Sequence, residues 1–109
     1  MMYREPSDSP WGVVVRCDTL CTGVYSVSTA GHGGIMVQTD AARRLLSPEA
    51  QAVGFQAGRY LNFEEDCDAP VVLRELVDSG IIAPRTDNYF RPGEYEACIY
   101  RSLQRWNPA

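Results

Sequence analysis

The sequence predicts an α+β fold: a small antiparallel β-sheet of three to four strands, arranged as a meander, packed against three to four helices. Three observations predict it. Between Trp11 and Gln38, runs rich in β-branched and aromatic residues are separated by connections too short for the crossover that parallel strands require. From Thr39 to Gly80, Ser, Thr and Asp precede runs with apolar residues at helical spacing, and Pro48 and Pro70 fall where a first helical turn accepts them. Near the C-terminus Tyr95, Ile99, Leu103 and Trp106 share one helical face.

The elements follow in order. Residues 1–10, with Pro6, Ser7, Asp8, Ser9 and Pro10, read as a flexible leader, and 11–109 as a single domain. Trp11 to Asp18 is a first strand, Leu20 to Gly23 a turn, and Val24 to Ser28 a second strand. Ala30 to Gly34 is a glycine-rich connection, and Ile35 to Gln38 a third strand. Thr39 or Asp40 caps a short helix through Leu46, and Ser47 caps another that ends between Gly54 and Gly58. Tyr60 to Phe63 returns to the sheet. Asp66 or Asp68 then caps a helix whose core stripe is Val72, Leu73, Leu76 and Val77, and Gly80 ends it. Ile81 to Pro84 exits to a loop over 85–92, and the last helix runs from Glu94 to Trp106.

Charge narrows the function. The chain of 109 residues carries 14 acidic and 10 basic side chains, net −4, and every basic residue is Arg. A net-acidic chain without Lys is a poor nucleic-acid binder, because phosphate neutralisation dominates that affinity. No apolar run is long enough for a membrane span, and no secretory stretch opens the sequence. The expected setting is the cytoplasm of a bacterial host, with no cofactor, no metal, no direct nucleic-acid contact and no membrane contact; no oligomeric state follows. Cys17, Cys21, Cys67 and Cys98 then read as reduced, small hydrophobes. A zinc site from Cys17, Cys21, His32 and Cys67 is the sharper reading, but the spacing of Cys17 and Cys21 is looser than that of a zinc knuckle.

Two segments carry the candidate chemistry. In the first, Gly31-His32-Gly33-Gly34 joins two strands rather than opening a helix, and no Lys-Ser/Thr pair follows. Neither a P-loop nor a dinucleotide fingerprint is present. Gly31, His32, Gly33 and Gly34 therefore read as structural, forming a hairpin tip. The second, Glu64-Glu65-Asp66-Cys67-Asp68, places four carboxylates among five positions. Asp66 and Asp68 suit the positive end of a helix; Glu64 and Glu65 precede it and need another partner or solvent. Economy of donors and acceptors brings the two segments together, with a carboxylate accepting from the Gly31–Gly34 backbone or from His32. A catalytic alternative joins His32 as base, Cys67 as a thiolate favoured by a helix start, and Glu64.

These segments, Ser26-Val27-Ser28-Thr29, Gly31-His32-Gly33-Gly34-Ile35 and Glu64-Glu65-Asp66-Cys67-Asp68, together with Trp11-Gly12, resemble a family of small proteins carried by phages, plasmids and other mobile elements of proteobacteria. The resemblance covers about residues 11–78. It implies a context, because small acidic proteins of mobile elements frequently antagonise host defence, anti-CRISPR proteins among them. The expected function is an anti-defence protein that inhibits a type I CRISPR–Cas effector by direct binding, without catalysis. Its partner would be an effector subunit whose basic surface normally holds nucleic acid, and clustered carboxylates would occupy Arg and Lys sites meant for phosphate. The candidate partner-binding residues are Glu64, Glu65, Asp78, Asp87, Tyr89, Glu94 and Glu96. The alternatives are a small Cys/His-dependent or metal-dependent enzyme of a mobile element, and a structural phage or plasmid accessory protein.

Overall fold

A computed structural model describes residues 4–65 and 68–83. The readings placed on Asp66, Cys67, Asp87, Tyr89, Glu94, Glu96, Cys98 and the C-terminal helix lie outside the described residues.

The α+β class holds, with a larger sheet than expected. Five antiparallel strands run in the order β3 (Arg16–Cys21), β4 (Val24–Ser28), β5 (Gly33–Gln38), β7 (Tyr60–Glu64) and β6 (Phe55–Ala57). A separate hairpin pairs β1 (Asp8–Ser9) with β2 (Gly12–Val13). The first three sheet strands form the expected meander, but the first strand expected over 11–18 is divided: Gly12–Val13 pairs in the separate hairpin, and β3 runs on through Leu20 and Cys21, where a turn was expected. After β5 the chain crosses one face as α1 (Thr39–Leu45) and α2 (Pro48–Val53), makes β6 at the far edge, and returns as β7 between β5 and β6. Helix α3 (Ala69–Asp78) follows on the same face.

The extra strand, β6, is three exposed residues whose local sequence continues a helix. Tertiary pairing holds it in place. Asn62, fully buried on β7, donates from Nδ2 to the carbonyls of Phe55 (3.2 Å) and Tyr60 (3.1 Å). At the other end, Thr39 or Asp40 was expected to cap α1, but both lie inside it, and Thr39 ties the helix to the β6–β7 turn. Its Oγ1 donates to the Arg59 carbonyl at 3.0 Å and accepts from Gln56 Nε2 at 2.8 Å.

The sheet is covered on both faces. The helix side packs Val24, Ile35, Val37, Leu61 and Phe63 against Ala41, Ala42, Leu46 and Ala50 of the first helical pair and Ala69, Val72 and Leu76 of α3. This is the stripe that helical spacing predicted, with Leu73 and Val77 half-buried at its margin. The other side holds a smaller cluster of Tyr25, Val27 and Met36 beneath Trp11, Val14, Cys17 and Tyr60. The segment read as a leader thus contributes a strand. The β1–β2 turn carries Trp11 across the sheet, its ring edge-on to Phe55 with centroids 6.2 Å apart.

Ser47 caps α2 as expected, accepting at Oγ from Ala50 N–H at 3.1 Å. Its hydroxyl also donates to Glu75 of α3, and its own N–H donates to Glu75 Oε1 at 2.8 Å. One side chain therefore satisfies a helix end and anchors the neighbouring helix. Ser47→Ala is expected to cost about 1–2 kcal/mol, because an N-cap and a carboxylate partner are lost together. The check is a urea titration showing a lower midpoint at unchanged slope.

Candidate functional site

The Gly31–Gly34 segment divides between turn and strand. Thr29 locks the turn: its N–H and Oγ1 both lie 2.7 Å from the His32 carbonyl, and its hydroxyl accepts from His32 N–H at 3.1 Å. Gly33 and Gly34 were expected within the connection; both belong to β5, opposite Ser28 and Val27. They are glycines because nothing larger fits. A Cβ on Gly34 would sit 2.3 Å from the Phe63 carbonyl oxygen and 2.5 Å from the Trp11 ring, and one on Gly33 2.5 Å from the Val27 carbonyl oxygen. A Cβ on Gly31 would meet nothing within 4 Å.

The acidic segment begins where β7 ends, beside this glycine pair. Glu64 stands opposite Gly34 across the β5–β7 ladder. Glu65 N–H donates to the Gly33 carbonyl at 3.2 Å, and its carboxylate passes over Gly33, 3.1 Å from where a Cβ would stand. The two segments are thus neighbours, and among the described residues the bond that joins them is backbone to backbone, with no carboxylate accepting from the Gly31–Gly34 backbone or from His32. Trp11, His32, Gly33, Glu64 and Glu65 line a recess of about 120 Å³. His32, Glu64 and Glu65 are all exposed. His32 and Glu64 therefore share one recess, and Cys67, the third member of the catalytic alternative, lies outside the described residues.

Of the two caps expected for α3, Asp66 lies outside the described residues, and Asp68 stands at the N-cap position with helical backbone angles and makes no side-chain cap bond. Its carbonyl accepts from Val71 N–H at 3.0 Å. Asp78 is exposed at the other end of α3 and pairs with Arg74 one turn back, at 3.3 Å.

The two described cysteines do not share a site. Thr19 pairs with Tyr25 but Cys21 with Val24, so Leu20 is an extra residue that bulges β3. The bulge turns Cys21 to the helix side, while Cys17 packs on the Trp11 side. A zinc ion held by both is therefore excluded by geometry. Burial pushes both thiols up; nearby Glu5 and Asp18 add to this at Cys17, and Arg44 partly offsets it at Cys21.

A larger groove, about 490 Å³, opens on the helix side between the β3–β4 half of the sheet and the start of α3. Arg16, Asp18, Ser26, Glu65 and Leu73 are among its lining residues. Arg16 and Asp18 were not singled out in the sequence. Their alternation on one strand face is a visible signal, but which face stays uncovered depends on where the helices end.

The chain belongs to the DUF7007 family, a domain of unknown function, matched over residues 4–109. No curated protein and no solved structure matches it. For this DUF7007 chain the match spans the N-terminal hairpin, the sheet and α3 alike, so the family relationship includes Trp11, the glycine pair and the acidic segment.

Proposed function

We propose that this DUF7007 chain acts by binding a cationic protein surface through the acidic end of its sheet, as an anti-defence protein that inhibits a type I CRISPR–Cas effector. The observation that carries the binding reading is the pair Glu64 and Glu65. They are adjacent, exposed and held at the end of a central strand, and among the described residues neither joins an ion pair. Fixed, uncompensated carboxylates on a net-acidic chain favour encounter with Arg- and Lys-rich surfaces. The anti-CRISPR form of the reading rests on the resemblance in Gly31–Gly34 and Glu64–Asp68. Asp78, already paired with Arg74, contributes less charge to such a surface.

The alternative of a small Cys/His-dependent enzyme draws on His32 and Glu64 sharing the recess. At about 120 Å³ that recess is below the roughly 300 Å³ at which small-molecule sites begin. Binding is the better-supported use.

The test is a double charge reversal, Glu64→Arg with Glu65→Arg. Melting temperature and far-UV spectrum should stay nearly unchanged, since exposed charges contribute little to folding. Association with a purified type I effector should slow about tenfold at low salt and lose most of its salt dependence. Wild-type protein that fails to bind the effector removes the anti-CRISPR assignment. Binding that the reversal leaves untouched removes the acidic-surface mechanism.

A further inference from the structure

β3 is an edge strand: among the described residues it pairs only with β4. Such an edge offers a row of backbone donors and acceptors to any strand of matching pattern. Just before it lie the two most exposed large hydrophobics of the described chain, Val13 at 73% and Val15 at 75%. On the strand itself Arg16 and Asp18 flank Cys17, both exposed, with Arg16 Nε 3.2 Å from the Asp18 carboxylate. This order of charges is antisymmetric about Cys17.

We propose that β3 pairs antiparallel with β3 of a second copy of this chain, about a two-fold axis at Cys17, to form a continuous ten-stranded sheet. Charge selects both the occupant and the register. In an antiparallel pair, directly opposite residues lie on one face and interact. Centring the axis on Cys17 sets Arg16 opposite the partner copy's Asp18 and Asp18 opposite its Arg16. The neighbouring registers that keep each face continuous centre on Arg16 or on Asp18, and each sets like charges directly opposite. The contact then extends to Val15 against Thr19. Because Arg16 and Asp18 also line the 490 Å³ groove, the pairing brings two such grooves together across the axis. The paired segment is short and ends at the Leu20 bulge, so the dimer is weak, with a Kd on the order of 10–100 µM for an interface at the small end of the usual range. This inference is independent of the anti-defence reading.

Sedimentation velocity on the full chain from about 5 to 500 µM tests it. A reversible monomer–dimer equilibrium is expected. Arg16→Asp and Asp18→Arg should each weaken it at least tenfold by opposing like charges, and the double exchange R16D/D18R should restore it. Melting temperatures confirm that these exposed substitutions leave the fold intact. As an independent readout, oxidation of wild-type protein at 500 µM with copper–phenanthroline should yield a Cys17–Cys17 linked dimer on peptide mapping. Directly opposite antiparallel residues have Cα atoms about 4.5–5.5 Å apart, within disulfide range. A monomer throughout, a dimer insensitive to R16D, or a linked dimer lacking the Cys17–Cys17 peptide overturns the proposal.

Discussion

Replacing Gly34 with alanine is expected to destabilise the protein by about 3 kcal/mol or more, near the severe end for a single added methyl group. The new Cβ would lie 2.3 Å from the Phe63 carbonyl oxygen and 2.5 Å from the Trp11 ring. The ring can move, but the carbonyl oxygen cannot, because it belongs to the β5–β7 ladder in which Gly34 itself pairs with Glu64. Relief therefore requires parting two central strands. For a domain of this size the loss corresponds to a fall in Tm of about 15 °C, against a total stability of about 5–15 kcal/mol. Gly31→Ala, in the same short motif, is the internal control. Its Cβ meets nothing within 4 Å and its φ is not positive, so its Tm should change by no more than about 2 °C. Trp11→Ala introduced with Gly34→Ala should not rescue the fold, since only one of the two clashes is removed. Equal melting temperatures for the Gly31 and Gly34 variants would falsify this account of the motif.

Truncating Phe63 to alanine is expected to cost about 3–5 kcal/mol. Among the described residues it heads the fully buried side chains by volume, on the strand between β5 and β6, and it joins sheet to helices. Its ring also explains Gly54 at the end of α2, where a Cβ would stand 2.8 Å from Phe63 Cζ and 3.0 Å from the Asn62 carbonyl oxygen. Gly54→Ala alone should cost about 1–3 kcal/mol through overpacking. The two substitutions are coupled, because the cavity left by the ring is the space the new methyl needs. The double variant should thus be less destabilised than the sum of the singles by about 1 kcal/mol. Strict additivity in urea melts would show that Gly54 is constrained by the Asn62 carbonyl and not by the ring.

The candidate site was readable in part. The proximity of His32 to Glu64 and Glu65 was expected, and the structure places all three around one recess. The particular bond was not readable, since the Glu65 N–H reaches the Gly33 carbonyl through strand pairing, which is a property of the sheet. The groove containing Arg16 and Asp18 was also invisible, because an uncovered face is defined by the helices that stop short of it.

Local chemistry alone determined the α+β class, β4, the core of β7, the Ser47 cap and the Val72–Leu76 stripe of α3. Each is written in a few consecutive residues, as an alternation, a helical spacing or a side chain that reaches its own backbone. Tertiary structure alone decided four other features. It made a strand of Phe55–Ala57, whose only strong claim is the neighbour it pairs with. It drew Gly33 and Gly34 from turn into strand, because Trp11 and the Phe63 carbonyl occupy the space a side chain would need. It laid the N-terminal hairpin over the second face of the sheet, where Tyr25, Val27 and Met36 require cover. It turned Cys21 away from Cys17 through a single bulged residue. The glycine pair and the N-terminal hairpin are decided by residues distant in the chain, while Phe55–Ala57 and the Leu20 bulge are decided by pairing with the next strand, and neither kind of contact is recorded in the pattern of a single segment.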